Sequence, residues 1–421
     1  MNIGIIGSGG REHALCFKLK LSKIVDKIYC FPGNAGTNLI AENINIDPNN
    51  FEGIKKISEE KKIELLVVGP EKPLVDGITD YFKNTNIKIF GPNKISSQLE
   101  GSKIFTKKLC KKYNIPTSKF DIFYDRFSAL NFLSNANFPL VIKADGLAAG
   151  KGVYICNSQS DSINAVNEIF NGRFGKTDCV LVEEFLKGEE MSYFVISDGK
   201  TYKSFQTAQD HKRVGEGDLG KNTGGMGAYS PSRLEDSELE NKINEKIINP
   251  TLKGLKALNS EYVGFLYIGL MIIENEPFLI EFNVRMGDPE CQTILPLLNS
   301  DLGEIIYSCC TKNLSLTKID WSDKKSLCIV LCSKGYPDKY EKNVIIENLE
   351  KLKLNNDQFI FHAGTKLFEN KFMAIGGRVL NIVVTSNNFN ECKNKAIKIL
   401  EDINWSKGFY RKDIGYKVVS Q

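Results

Sequence analysis

KADGLAAGKGV, residues 143–153, lies between two apolar runs, PLVIKADG (139–146) and GVYIC (152–156), and the fold turns on how it is read. A P-loop needs two glycines with four residues between them, then Lys and a hydroxyl residue that meets the metal. Here three residues separate Gly146 from Gly150, and Lys151 is followed by Gly152, so no Ser or Thr stands at the metal position. This Gly-rich, Lys-flanked loop therefore belongs to some other fold.

Upstream, NIGIIG (2–7), KIYCF (27–31), LLVVG (65–69) and IKIFG (87–91) are near-continuously apolar, as strands buried on both faces are. Amphipathic stretches at 11–22 and 51–62 alternate with them, which predicts a doubly wound parallel α/β sheet. A helix is expected at 104–113. Around the opening motif, 139–146, 152–156 and 179–186 predict a small sheet with a helix at 160–171. The polar stretch QDHKRVGEGDLGKNTGGMGAYSP (209–231) has no periodicity and is too long for an idle connection, so it is a functional loop or disordered. A helix at 235–258, an antiparallel pair at 263–273 and 277–284, and an α+β segment from 326 complete the chain.

A chain of 421 residues exceeds one core. The expected units are 1–103, 104–325 and 326–421. A net charge of +4 argues against a nucleic-acid surface. The start is too briefly apolar for a signal peptide, and the longest apolar run, 263–273, is too short to span a bilayer. The eleven cysteines form no C-x-x-C pair, and His13, His211 and His362 have no zinc spacing, so reduced thiols in a cytoplasmic protein are expected.

Gly7-Ser8-Gly9-Gly10 follows a strand and opens a helix, but Glu12 stands where a dinucleotide fingerprint needs Gly or Ala. The second strand also ends without an acid for a ribose, at Phe31-Pro32-Gly33-Asn34. The amides of such a turn can still hold a simple phosphate, or the glycines can serve the turn alone. Asn34 and Glu71 fall on the same rim. In FLIEFNVR (278–285), strict alternation would send Phe278, Ile280, Phe282 and Val284 into a core and Glu281, Asn283 and Arg285 to the other face. A carboxylate and an amide oxygen suit a hard cation such as Mg²⁺ that keeps water and phosphate ligands. Arg285 could stabilise charge on a transferred phosphoryl group.

Lys143, the loop 146–152, Glu183-Glu184-Phe185-Leu186 and E-x-N-x-R together resemble the ATP-grasp superfamily, whose glycine loop closes over ATP phosphates. GSGGREHA (7–14), PGNAGT (32–37), VGPEKPLVDG (68–77), QLEGSK (98–103), QDHKR (209–213), NTGGMGAYSP (222–231), EFNVRMGDPE (281–290), FHAGTK (361–366), GGRVL (376–380) and RKDIGY (411–416) narrow the match. They resemble the phosphoribosylamine–glycine ligases, the glycinamide ribonucleotide synthetases, along the whole chain.

That resemblance implies ATP-dependent ligation of glycine to 5-phosphoribosylamine through a glycyl phosphate, in purine synthesis. It implies a central ATP-grasp unit, with a small mobile lid subdomain near 118–188, between the parallel sheet and the C-terminal α+β domain. Arg285, Lys143 and Asp210 would be catalytic. ATP would be held by Lys103, Lys143, Gly150, Lys151, Gly152, Glu183, Glu184, Phe185, Leu186 and Glu190. Gly9, Gly10, Asn34, Glu71, Asp210, Asn222, Thr223, Gly224, Gly225, Met226, Arg285 and Asp288 would hold the other substrates. Glu281 and Asn283 would bind Mg²⁺ or Mn²⁺, and Leu270-Met271-Ile272 offers no further acidic ligand. The partners expected are small molecules, with neither nucleic acid nor membrane, for a monomer. Biotin carboxylase shares E-x-N-x-R but does not explain NTGGMGAYSP; a dinucleotide oxidoreductase is opposed by Glu12. A non-catalytic nucleotide-binding regulator is opposed by Lys143, Glu281, Asn283 and Arg285 occurring together.

Overall fold

The apolar runs at the start of the chain become strands because each of them can be buried on both faces. The structure, a computed structural model, describes residues 1–147, 152–175 and 177–419. β1 (Asn2–Gly7), β2 (Lys27–Pro32), β3 (Glu42–Asn43), β4 (Ile63–Val68) and β5 (Lys88–Phe90) form a parallel sheet in the order β3-β2-β1-β4-β5. Ile3, Ile5, Leu65 and Val67 enter one core, while Ile6, Leu66 and Val68 enter another. The expected doubly wound sheet is therefore present. The carboxyl ends of β1, β2 and β4 bring Gly7–Gly10, Gly33–Thr37 and Gly69–Glu71 to one rim, where such sheets place their ligands.

Helices Gln98–Gly101 and Lys103–Tyr113 lead into a small antiparallel sheet. It consists of β6 (Phe120–Phe123), β7 (Leu140–Ala144), β8 (Val153–Cys156) and β9 (Val180–Glu184), in the order β6-β9-β7-β8. Helices Arg126–Leu133 and Gln159–Phe170 cover it, closing a core of its own around Leu133, Ile142, Val166, Ile169 and Val182.

The chain then builds β10 (Glu189–Asp198) and β11 (Tyr202–Ser204). The polar stretch 209–231 is ordered: it contributes β12 (Gln209–Asp210), the β13 (Arg213–Gly215)–β14 (Leu219–Asn222) hairpin and β15 (Gly227–Ser230). The predicted helix at 235–258 is Ser237–Ile243 and Asn249–Ala257 joined by a π turn, Asn244–Ile248, directly before Pro250, which lacks an N–H for the regular ladder. β16 (Val263–Ile273) and β17 (Glu276–Asn283) complete an antiparallel sheet ordered β11-β10-β16-β17.

The remaining strands are β18 (Lys325–Ser333), β19 (Val344–Ile345), β20 (Gln358–His362), β21 (Thr365–Phe368), β22 (Lys371–Ala374), β23 (Arg378–Ser386) and β24 (Gly408–Phe409), with helix Phe389–Ile403. β12 and β15 join this C-terminal segment, because the large sheet runs β12-β15-β18-β23-β20 with β24 on β18. Among the described residues no helix is long and apolar enough to cross a membrane.

Strict alternation fails in β17. Gly269 pairs with Glu281 but Leu270 pairs with Leu279, so Ile280 is an extra residue, a bulge. Leu279 and Phe282 are the buried pair, and Phe278 and Ile280 stay partly exposed. The bulge corrects the expected inward set at Phe278 and Ile280 while leaving Phe282 and Val284 in the core.

Candidate active site

Lys143 is the penultimate residue of β7, just before the glycine loop, and its side chain is nearly buried. It pairs with Glu183 Oε1 at 2.9 Å. Lys107 pairs with Glu183 Oε2 at 3.1 Å, and Ser118 Oγ donates to that oxygen at 2.5 Å. Burial alone would raise the Glu183 pKa, but the two lysines and Ser118 outweigh it and hold the carboxyl below its ordinary value. The Glu183 side chain thus orients Lys143 from within the small sheet. Glu184 Oε1 accepts the Lys119 N–H at 2.9 Å, and Phe185 and Leu186 form the link from β9 to β10, Phe185 exposed.

The glycine loop begins directly after β7. Asp145 accepts from Ser102 Oγ at 3.1 Å and from the Ile104 N–H at 3.2 Å, capping the Lys103–Tyr113 helix. Lys103 Nζ donates to Gly146 O at 2.9 Å. Burial, with Lys143 nearby, lowers the Lys103 pKa although Glu281 and Asp145 oppose it. Gly152 is described and its carbonyl accepts the Ala144 N–H at 2.8 Å, whereas Gly150 and Lys151 lie outside the described residues. Glu190 stands on β10, its carboxylate 2.5 Å from Lys212 Nζ.

On the acidic strand, Glu281, Asn283 and Arg285 are all partly buried. Arg285 meets Glu100 Oε1 at 2.7 Å and Glu71 Oε2 at 3.4 Å. These carboxylates raise its pKa against the effect of burial. With its nitrogen turned to Glu100, Asn283 donates to Glu100 Oε1 at 2.8 Å. Its oxygen then faces away from that carboxylate. One carboxylate and one amide oxygen fit a hard cation that takes its other ligands from phosphate and water. Among the described residues no cluster of three or more His, Cys, Asp or Glu could hold an ion alone.

Glycines crowd the rim of the parallel sheet because Glu12 fills it. A Cβ at Gly7, Gly9 or Gly69 would lie 2.1–2.8 Å from the Glu12 side chain. Gly7 also has φ +121°, a conformation that suits glycine. Glu12 accepts the Gly9 N–H at 2.6 Å and pairs with Arg11 Nε at 2.6 Å. The mismatch to a dinucleotide fingerprint is therefore structural, and the Gly9 amide already has an internal acceptor. Gly10 packs against Asn381 and Gln292.

Asn34 is similarly committed. Its nitrogen donates to Ser8 O at 2.9 Å and His362 O at 2.8 Å, and its oxygen accepts from the Gly36 and Thr37 amides. The side chain ties two loops together. Around the rim stand Glu71 and Asp288, the latter bonded to Gln292 at 2.6 Å and 3.3 Å from Arg378.

The loop from 209 faces this strand. Burial, reinforced by Glu290 and Glu190, pushes Asp210 up to about 7 against the pull of Lys212. Thr223 N–H and hydroxyl both donate to Lys212 O, and Asn222 pairs with Arg213. Gly225 has φ +113° and a Cβ there would meet Pro289 at 2.5 Å. Arg378, from the C-terminal segment, donates to Gly224 O and Asp288 O at 2.7 Å each, joining this loop to the end of the acidic strand. Met226 is fully buried against Cys332, a core residue by its surroundings.

Arg11, Glu12, Glu100, Lys107, Lys212 and Arg378 were not singled out by sequence reasoning for roles at the site. Their signal was adjacency to motifs already quoted, GREHA, QLEGSK, QDHKR and GGRVL. None of the eleven cysteines is disulfide-bonded, and all but Cys310 are buried.

A two-sheet clasp with a Lys-flanked glycine loop, set against an E-x-N-x-R strand, defines an ATP-grasp ligase. Three domain profiles of phosphoribosylglycinamide synthetase match the chain: the N domain over 1–100, the ATP-grasp (A) domain over 101–291 and the C domain over 326–417. The phosphoribosylamine–glycine ligase of Haemophilus influenzae is 45% identical over 426 residues, and that of Brucella melitensis 43% over 422, each alignment spanning 100% of this chain and 99% of the relative. The solved phosphoribosylamine–glycine ligase of Thermotoga maritima superposes with a TM-score of 0.85 at 32% identity, covering 99% of this chain and 100% of its own. This chain belongs to the phosphoribosylamine–glycine ligase family. A biotin carboxylase from Campylobacter jejuni, 14% identical over 95% of this chain and 91% of its own with a TM-score of 0.71, shares the fold.

Proposed function

We propose that the protein joins glycine to 5-phosphoribosylamine, converting ATP to ADP and phosphate through a glycyl phosphate, as a step of purine synthesis. The observation that carries this reading is the meeting of Glu281 with Lys103 and Lys212, with Asn283 and Arg285 held beside it on Glu100, in a chain whose family match runs end to end. Glycine's carboxylate is a poor electrophile until phosphorylated, so the protein's task is positioning and charge neutralisation.

Lys103 and Lys143 face the ATP phosphates, Lys143 held in place by Glu183. The Glu184–Leu186 link borders the adenine, and Glu190 the ribose. Gly150, Lys151 and Gly152 belong to the loop that covers the phosphates. Glu281 and Asn283 hold Mg²⁺ or Mn²⁺, which draws phosphate charge to itself when bound. Arg285 lies beside the transferred group.

The ribosylamine occupies the rim near Gly9, Gly10, Glu71 and Asp288. Asn34 shapes that rim through its backbone ties. Asp210 and the Asn222–Gly225 turn border glycine, and Met226 supports the turn from the core. A carboxyl pushed up to about 7 can take the proton released as the ribosylamine nitrogen attacks. The small sheet with its own core moves as a lid that keeps water from the acyl phosphate.

The units are 1–103, 104–325 and 326–421, acting as a cytoplasmic monomer on small molecules. The test is ADP release by the purified protein given glycine and freshly made phosphoribosylamine. Release requiring both substrates is expected. Release with bicarbonate and biotin instead, or none at all, overturns the reading.

A further inference from the structure

Glu100 lies on the short helix Gln98–Gly101, at the connection between the parallel-sheet unit and the ATP-grasp unit, and its side chain is 8% exposed. Its carboxylate meets three consecutive residues of the acidic strand. Oε2 accepts the Val284 N–H at 2.8 Å, and Oε1 accepts Arg285 Nη2 at 2.7 Å. Asn283 brings its nitrogen to Oε1 at 2.8 Å. The reverse orientation would press an amide oxygen against a carboxylate oxygen, so the hydrogen bonds assign the amide.

Building on the reading that Glu281 and Asn283 hold the cation, we propose that Glu100 is the positioning residue of that site. By engaging the Asn283 nitrogen it leaves the amide oxygen as the atom that can face a cation. By engaging Arg285, which also approaches Glu71 at 3.4 Å, it sets the guanidinium between the two proposed substrate regions. Partners that orient a metal's ligands commonly govern its affinity about as strongly as a weak ligand does. This explains why a carboxylate is buried at a connection that needs only a tight turn.

The geometry makes a counterintuitive demand. An aspartate is ordinarily a better ligand than asparagine for a hard cation. At position 283 it would instead oppose Glu100 across the 2.8 Å now spanned by a hydrogen bond. The test measures Mn²⁺ binding to the protein–ADP complex by electron paramagnetic resonance, with thermal melting alongside. Glu100→Gln is expected to weaken Mn²⁺ binding about 10- to 100-fold. Asn283→Asp is expected to weaken it too, despite the added charge, and Asn283→Asp combined with Glu100→Gln to recover part of the loss.

Tighter Mn²⁺ binding by Asn283→Asp, or unchanged binding by a folded Glu100→Gln, overturns the proposal. Additive losses in the double variant also overturn it, because they reduce Glu100 to a structural tie. If Glu100→Gln does not fold, Asn283→Asp alone carries the decision. Glu281→Gln separates the two levels: its loss of Mn²⁺ binding with Glu100→Gln unaffected leaves the cation site standing and removes only Glu100. Unchanged binding in Glu281→Gln removes both.

Discussion

Glu183 holds two lysines, Lys107 and Lys143, in a nearly dry pocket, so its charge matters more than its shape. Removing one partner of a buried ion pair costs about 3–5 kcal/mol, because a charge is left without compensation. Glu183→Gln should therefore lower the melting temperature and raise the KM for ATP more than that for glycine. Equal effects on both KM values would mean that Lys143 does not face the nucleotide. Histidine gives a second expectation at this scale. His13 Nδ1 accepts the His362 N–H at 2.9 Å and His211 Nε2 accepts the Gly415 N–H at 3.2 Å, so these rings are held neutral. Burial lowers His13 to about 3, and His362 and His211 to about 4. The unfolded chain takes up these protons near 6.5. Stability from the histidines is thus full above about 6.5 and is lost as pH falls toward 4, by about 1.4 kcal/mol per pH unit for each. Asp210, held up to about 7, pulls the other way across this range, so the histidine share is read as a difference: denaturant titrations across pH 6.5–4.5 should give a slope shallower by about one proton in His13→Asn than in the parent protein. A slope unchanged by His13→Asn would sink the account. Lys143, Glu281 and Arg285 were legible in the sequence because their positions follow from strand ends and spacing. Asn34 and Met226 were not, since nothing local reveals that one is a loop tie and the other core.

At the scale of elements, near-continuous apolar runs announced the parallel strands, and the helix expected at 104–113 runs from Lys103 to Tyr113, capped by Ser102. Two features were hidden. β10 opens on Glu189-Glu190 and is then buried on both faces from Met191 to Asp198, so it carries no alternation to read. The bulge at Ile280 depends on the register with β16, a long-range property. The stretch 209–231 lacked periodicity because its strands are short and belong to different sheets. The small sheet's separate core supports an expectation about motion. If it closes as one body, strain falls on the links Phe185–Gly188 and Tyr113–Lys119, while its interior hydrogen bonds persist. Amide exchange at Asp145–Leu147 and Phe185–Gly188 should slow with Mg²⁺ and an ATP analogue, with β7 and β9 unchanged. Uniform slowing across β6–β9 would indicate that the sheet itself is ordered by nucleotide, which contradicts a rigid lid.

At the scale of the whole molecule, the 209–231 loop proposed to border the glycine substrate is fastened by the far end of the chain. The Arg411 guanidinium, 1% exposed, forks onto Asp413 at 2.8 and 2.7 Å and reaches Asp218 at 2.9 Å. It also donates to Arg213 O, while Tyr416 bonds Asp218 and the Gly415 N–H meets His211. His211 stands between Asp210 and Lys212, so the RKDIGY segment sets the backbone that carries Lys212 toward Glu281. No local pattern could show this, because the partners are nearly 200 residues apart, as for Arg411 and Asp218. Arg411→Met removes the fork but leaves both carboxylates partly open to water, Asp218 at 38% and Asp413 at 22% exposure. The cost should therefore be about 1–3 kcal/mol, below that of a fully buried pair. Arg411→Lys should not restore it, since an ammonium cannot reproduce the two-pronged contact. Amide exchange in β13 and β14 should quicken in both variants. If that hairpin positions Asp210 and the Asn222–Gly225 turn, the KM for glycine should rise about tenfold, equivalent to about 1.4 kcal/mol, while the KM for ATP stays within a few-fold. Faster exchange with an unchanged glycine KM would detach the loop from glycine. Unchanged exchange would mean that the C-terminal segment fastens nothing.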